Sequence, residues 1–113
     1  MLVLSKGISQ HGIKAIVKEE ATGHPVVNKK VYIGYYTPSS GMGILTLNGP
    51  VAEGFTYNEG YFDIRFPVKE YQLREGHFNV KIEYMNTMTQ VTTADHALFS
   101  DRRIVDLGII YVD

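Results

Sequence analysis

A period of two runs through the apolar residues of this chain. Its clearest instance is Phe78, Val80, Ile82 and Tyr84 alternating with His77, Asn79, Lys81 and Glu83, the pattern of a strand with one buried and one wet face. Phe62, Ile64 and Phe66 alternate in the same way with Tyr61, Asp63 and Arg65, until Pro67 removes a ladder donor and ends the run. Gly54 to Tyr57 leads into that strand through Asn58-Glu59-Gly60, which predicts a hairpin with a bulge at the glycine. Gly12 to Glu20 carries Ile13, Ala15 and Val17 on one face and Ile16 on the other, and closes at the turn Ala21-Thr22-Gly23-His24-Pro25. Val31 to Thr37 is rich in aromatic and β-branched residues, Gly43 to Leu47 has the content of a short strand, and Met88 to Thr93 reads as a continuing or edge strand. The last segment, Ile104 to Val112, has Val105, Leu107, Ile109 and Tyr111 on one face against Ile104, Ile110 and Val112 on the other. A strand apolar on both faces is either central or an edge that pairs with something.

Helix is left only Val68 to Glu75 and Thr93 to Asp101. Turn signals recur at roughly 8 to 12 residues, the spacing of sandwiches and barrels. The expectation is an all-β, seven- or eight-stranded sandwich with at most one short helix. Its core would include Val31, Ile33, Phe62, Ile64, Phe66, Phe78, Val80, Ile82, Tyr84, Leu107 and Ile109. At 113 residues, 44% apolar and 20% charged, the chain suits a single domain over residues 1–113, with 1–11 an N-terminal extension.

Composition removes several functions. With 11 basic and 12 acidic residues spread along a chain of net charge −1, the basic face of a nucleic-acid binder is missing. Without cysteine there is no disulfide, thiolate metal site or cysteine nucleophile. No stretch approaches the ~20 apolar residues of a membrane span, and Met1 to Gln10 lacks a secretory h-region. The setting is left open between the cytoplasm and an exported assembly.

The order of these pieces is similar to that of the prealbumin-like β-sandwiches, the transthyretin-like and carboxypeptidase regulatory-like domains. Thr22-Gly23-His24-Pro25-Val26 resembles their "T-G-x-P-V" turn, and Thr56-Tyr57-Asn58-Glu59-Gly60-Tyr61-Phe62 their "T-x-x-x-G-x-F" hairpin. Gly76-His77-Phe78-Asn79-Val80-Lys81-Ile82 resembles "G-x-Y-x-V-x-V", with Phe78 replacing tyrosine, and Val105-Asp106-Leu107-Gly108-Ile109-Ile110 resembles "V-D-L-G-x-I". The resemblance runs from Ile13 to Val112 and implies a fold more than a function. Thr37 to Pro50 is longer than the pattern. The enzymatic branch of that group, the 5-hydroxyisourate hydrolases, places a histidine where this chain has Ile16 and ends in "Y-R-G-S", where this chain ends Ile110-Tyr111-Val112-Asp113. Both signatures are absent, and the spacing of His11 and Arg102 does not replace them, so no enzyme and no catalytic residue is expected.

Nor is a metal or other cofactor. The four histidines, His11, His24, His77 and His96, lack the i, i+2 or i, i+4 spacing of a one-element site. Asp95-His96 with Asp101 reads as a solvated connection with an aspartate cap in preference to a hard-metal loop. Tyrosine is what exceeds structural need: of eight, Tyr32, Tyr35 and Tyr36 share one strand, so Tyr35 or Tyr36 must face away from the core. The expected function is a non-enzymatic binding or structural module within a larger surface, secretion or virus-particle assembly. It would meet a protein partner or a second copy through Ile104, Ile110 and Val112. The alternative is a carbohydrate-binding module using Tyr32, Tyr35 and Tyr36.

Overall fold

A computed structural model describes residues 8–36, 51–100 and 102–113. They form seven strands: β1 (Ile8–Glu19), β2 (Lys30–Tyr36), β3 (Ala52–Phe55), β4 (Tyr61–Lys69), β5 (His77–Tyr84), β6 (Thr87–Asp95) and β7 (Ile104–Val112). One sheet has the order β4-β1-β7 and the other β3-β2-β5-β6. All pairings are antiparallel except β1 with β7, which run parallel. The chain is thus an all-β sandwich. The two stretches left for helix hold single 3-10 turns, Glu70–Leu73 and His96–Phe99. The strand expected over Gly43 to Leu47 lies outside the described residues, as does Asp101.

Alternation dictates the core. Ile13, Ala15 and Val17 of β1, Phe62, Ile64, Phe66 and Val68 of β4, and Val105 of β7 face Val31 and Ile33 of β2 and Phe78, Val80 and Ile82 of β5. Phe99 swings in from the second 3-10 turn and packs against Phe66 and Phe78, with ring centroids 6.5 and 5.2 Å apart. His11 is buried beside it, its ring edge-on to Phe99 at 5.4 Å. Its strand begins four residues before the Gly12 expected from the pattern, so β1 takes in residues assigned to the N-terminal extension.

Three expectations are corrected. Pro67 does not end β4, which continues to Lys69; β4 is an edge strand, where a proline's missing donor faces no neighbour. Gly54 to Tyr57 and Tyr61 to Phe66 are not a hairpin. β3 pairs with β2 and β4 pairs with β1, so Thr56 to Gly60 carries the chain from one sheet to the other. Gly60 has the positive φ the sequence predicted, 78°, and a close approach also requires glycine there: a Cβ would meet the Val17 carbonyl oxygen at 2.2 Å. A glycine next to polar turn residues signals a tight reversal and does not say which sheet the chain enters afterwards.

The third correction concerns β7. Lys14 pairs with Asp106 and Ile16 with Ile109, so β7 spends one residue more than β1 over the same span. Gly108 takes φ 74° there and donates its N–H to Asp106 Oδ1 at 2.9 Å, a bulge of the glycine type. The extra residue inverts the alternation beyond it. Ile110 and Val112 face the core, at 7% and 3% exposure, whereas Ile109 and Tyr111 face out at 48% and 54%. Ile109 therefore leaves the expected core, and Leu107 lies half-buried at its margin.

Candidate binding surfaces

Each sheet presents an outer face, and register assigns its residues. On the β4-β1-β7 sheet, Tyr61, Ile16 and Ile109 are successive cross-strand partners and form one apolar row over all three strands. Tyr57, half exposed in the crossover, extends the row by an edge contact with Tyr61, centroids 5.7 Å apart. Tyr111 lies beside Lys18 in the next row. On the other side of the apolar row, Lys14 stands between Asp63 and Asp106. Arg65 binds Asp63 through two nitrogens, at 2.8 and 3.1 Å, and this guanidinium contact holds the Asp63 carboxyl below the usual carboxylate range. Apolar centre and charged margin is the anatomy of a protein interface.

The residues expected to make that interface behave differently. Ile110 and Val112 are inside, and Ile104 is half-buried across from Gly12. The exposed apolar residues of the same strand are Ile109 and Tyr111, which the pattern had turned inward. Only the bulge separates the two assignments, and Asp106-Leu107-Gly108 is its trace in the sequence.

On the β3-β2-β5-β6 sheet, Tyr32 and Tyr36 face out with Gly34 between them, while Tyr35 turns inward onto Phe78, ring centroids 5.0 Å apart. The Tyr35 hydroxyl donates to the Glu75 carbonyl, and burial pushes its phenol up to about 12. Of the three tyrosines singled out in the sequence, the fold places two on a common face and packs the third, partly buried, against the core. Tyr32 is the cross-strand partner of Glu53 and Lys81, and Tyr36 of His77. Lys30 ties the Tyr32 end together: its ammonium is 2.9 Å from Glu53, and 5.4 and 5.9 Å from the ring centroids of Tyr32 and Phe55. That ion pair holds the Lys30 ammonium above its usual range.

At the Tyr36 end the fold builds a cluster that no sequence spacing announced. Asp95 is the β6 partner of His77 and accepts from its Nδ1 at 3.1 Å. The other oxygen of Asp95 accepts from the Ala97 N–H at 3.0 Å, the aspartate cap the sequence predicted, and lies 3.6 Å from His96 Nδ1. His96 Nδ1 is closer to the Gly76 carbonyl, at 3.0 Å. Histidines 19 positions apart thus meet one carboxylate because β5 and β6 pair, with a bulge near Val80 setting their register. Among the described residues, no group of three histidine, aspartate or glutamate side chains has a geometry that could hold a metal ion.

No protein-family model matches this chain. No curated protein matches it. A solved structure that does is a 9R-lipoxygenase from Cyanothece PCC8801, at 11% identity and a TM-score of 0.56 over 91% of this chain. The match spans 16% of the lipoxygenase chain, and at that identity it is a likeness of fold.

Proposed function

We propose that this chain is a non-enzymatic binding module, a prealbumin-like sandwich that joins a larger assembly by docking a protein onto the outer face of its β4-β1-β7 sheet. The observation that carries the reading is the row Tyr57, Tyr61, Ile16 and Ile109, continued by Tyr111. Three of these residues are about half exposed, at 51%, 48% and 54% for Tyr57, Ile109 and Tyr111. Aromatic residues at the centre of a patch supply large contact area at small entropic cost, and the flanking Lys14, Asp63, Arg65 and Asp106 supply direction. The motif order set out above supports the prealbumin-like assignment of the sandwich.

The reading is tested by Ile109→Lys and Tyr61→Ala. Wild-type protein should self-associate in sedimentation at rising concentration or retain a defined protein in pull-downs from its source cells. Both variants should remain folded and lose that association. A wild-type chain that stays monomeric and retains nothing the variants do not also retain overturns the reading.

A second reading, as a carbohydrate-binding module, is favoured by one arrangement: Tyr32 and Tyr36 share the outer face of the opposite sheet with a bare glycine between them. Four residues along a strand separate the two by about 13 Å, the span of a short extended oligosaccharide. Trial of neutral polysaccharides against wild-type protein tests it, and absence of any binding overturns it.

A further inference from the structure

Resting on that second reading, we infer that the outer face of the four-stranded sheet holds a neutral oligosaccharide at a site built from Tyr36, His77 and Asn79, with Tyr32 as its distal platform.

The first argument is an oriented acceptor. The Asp95 carboxylate only accepts hydrogen bonds, so its contact with His77 Nδ1 at 3.1 Å places the proton on that nitrogen. In the neutral ring Nε2 is then left as an acceptor. The Tyr36 ring lies alongside at a centroid distance of 5.4 Å and 33° tilt, so platform and acceptor are adjacent. A sugar ring offers the matching pair of features, a face of C–H groups and a rim of hydroxyl donors.

The second argument is an orphan. Asn79 lies on the face that alternation marks as wet, yet it is only 5% exposed, and its Oδ1 has no hydrogen-bond partner among the described residues. Its amide lies over Gly34, where a Cβ would meet Oδ1 at 2.4 Å, so the glycine makes room for it between the two tyrosines. Nδ2 makes a long bond to Gln90 Oε1, 3.3 Å. Buried acceptors are rarely left unpaired, and the last torsion of asparagine is broad. A modest turn of the amide offers Oδ1 to a ligand hydroxyl between the rings.

Charge selects the class. Lys30 is bound to Glu53 and His77 to Asp95, and Lys81 and Glu83 follow one another on the same face of β5 with opposite signs. Among the described residues, charges of both signs are thus interspersed along the strip with no cluster of one sign to recruit an anion or a cation, which favours an uncharged ligand.

The test is retardation of the folded full-length chain in native gels containing hydroxyethyl cellulose, soluble starch or dextran, with dextran sulfate as the charged counterpart. Wild-type protein should be slowed by at least one neutral polymer. Tyr36→Ala removes the platform, and His77→Phe keeps a ring while removing the acceptor; each should weaken binding about tenfold. Gly34→Ala, which displaces the Asn79 amide, should do the same, and Val27→Ala, away from the strip, should not. Circular dichroism confirms that each variant is folded. Wild-type binding that Tyr36→Ala and His77→Phe leave intact overturns this site while leaving carbohydrate binding to another surface. Retardation by dextran sulfate alone, or by none of the polymers, overturns the site and the reading beneath it.

Discussion

Single residues here show how far side-chain chemistry alone can be followed. Phe78 is fully buried and meets Tyr35, Phe66 and Phe99 at 5.0, 5.6 and 5.2 Å between ring centroids. Phe78→Ala should therefore cost about 3 to 5 kcal/mol in chemical denaturation, the loss expected when a core aromatic leaves a cavity that its neighbours fill only in part. Its burial was legible because no other period explains residues 77 to 84. The role of Tyr35 was not, because Tyr35 and Tyr36 are consecutive and alternation says only that they point oppositely. The fold resolves the choice by placing Tyr35 opposite Phe78. Burial, and next the nearby Glu75, push its phenol from 10.0 to about 12. A group held protonated by the fold contributes stability that is complete below 10 and lost as pH rises through about 12. Ultraviolet titration of the native protein should show a phenol that ionises only near 12, and Tyr35→Phe should remove that step and flatten the alkaline limb of stability against pH.

Elements were legible where they are regular. β5 and the inward face of β1 follow from alternation, and the closing strand was expected over the residues it occupies, Ile104–Val112. What could not be read was a change of register inside that strand, since one added residue turns every later side chain to the opposite face. The physical signal is Asp106-Leu107-Gly108: a carboxylate that captures the glycine N–H and a glycine that accepts φ 74°. A Cβ at Gly108 meets no atom within 4 Å, so Gly108→Ala strains only the backbone and should cost about 1 to 2 kcal/mol. Deleting Gly108 is the more severe change. It restores simple alternation, directs Ile109 and Tyr111 inward and expels Ile110 and Val112, and should abolish cooperative unfolding or lower its midpoint far more than the alanine does. The matched pair Ile109→Lys and Ile110→Lys checks the same register in stability measurements. The first should lie within about 0.5 kcal/mol of wild type, as surface substitutions do, and the second, burying an unpaired ammonium, should prevent folding or nearly so. Equal effects of the two lysines would contradict the bulge.

At the scale of the whole molecule, sheet order decides which residues share a surface, and sheet order is the property least visible in a sequence. Asn58-Glu59-Gly60 looks like a hairpin turn and is a passage between sheets; His77 and Asp95 look unrelated and are cross-strand partners. The tyrosine excess was visible, but its division was not: Tyr57, Tyr61 and Tyr111 belong to one face and Tyr32 and Tyr36 to the other, with the core of Phe62, Phe66, Phe78 and their neighbours between. Two faces separated by a packed core and sharing no side-chain partner among the described residues should act independently, because coupling between substitutions requires contact or a common network. The double variant Ile109→Lys with Tyr36→Ala should show the sum of the two single changes in stability to within about 0.5 kcal/mol. Ile109→Lys alone should abolish protein association and leave polysaccharide retardation unchanged, and Tyr36→Ala alone should do the reverse. Loss of both activities in either single variant, with the fold intact by circular dichroism, would show that the faces communicate or that one ligand spans the edge of the sandwich. The division of labour between the two sheets would then have to be abandoned.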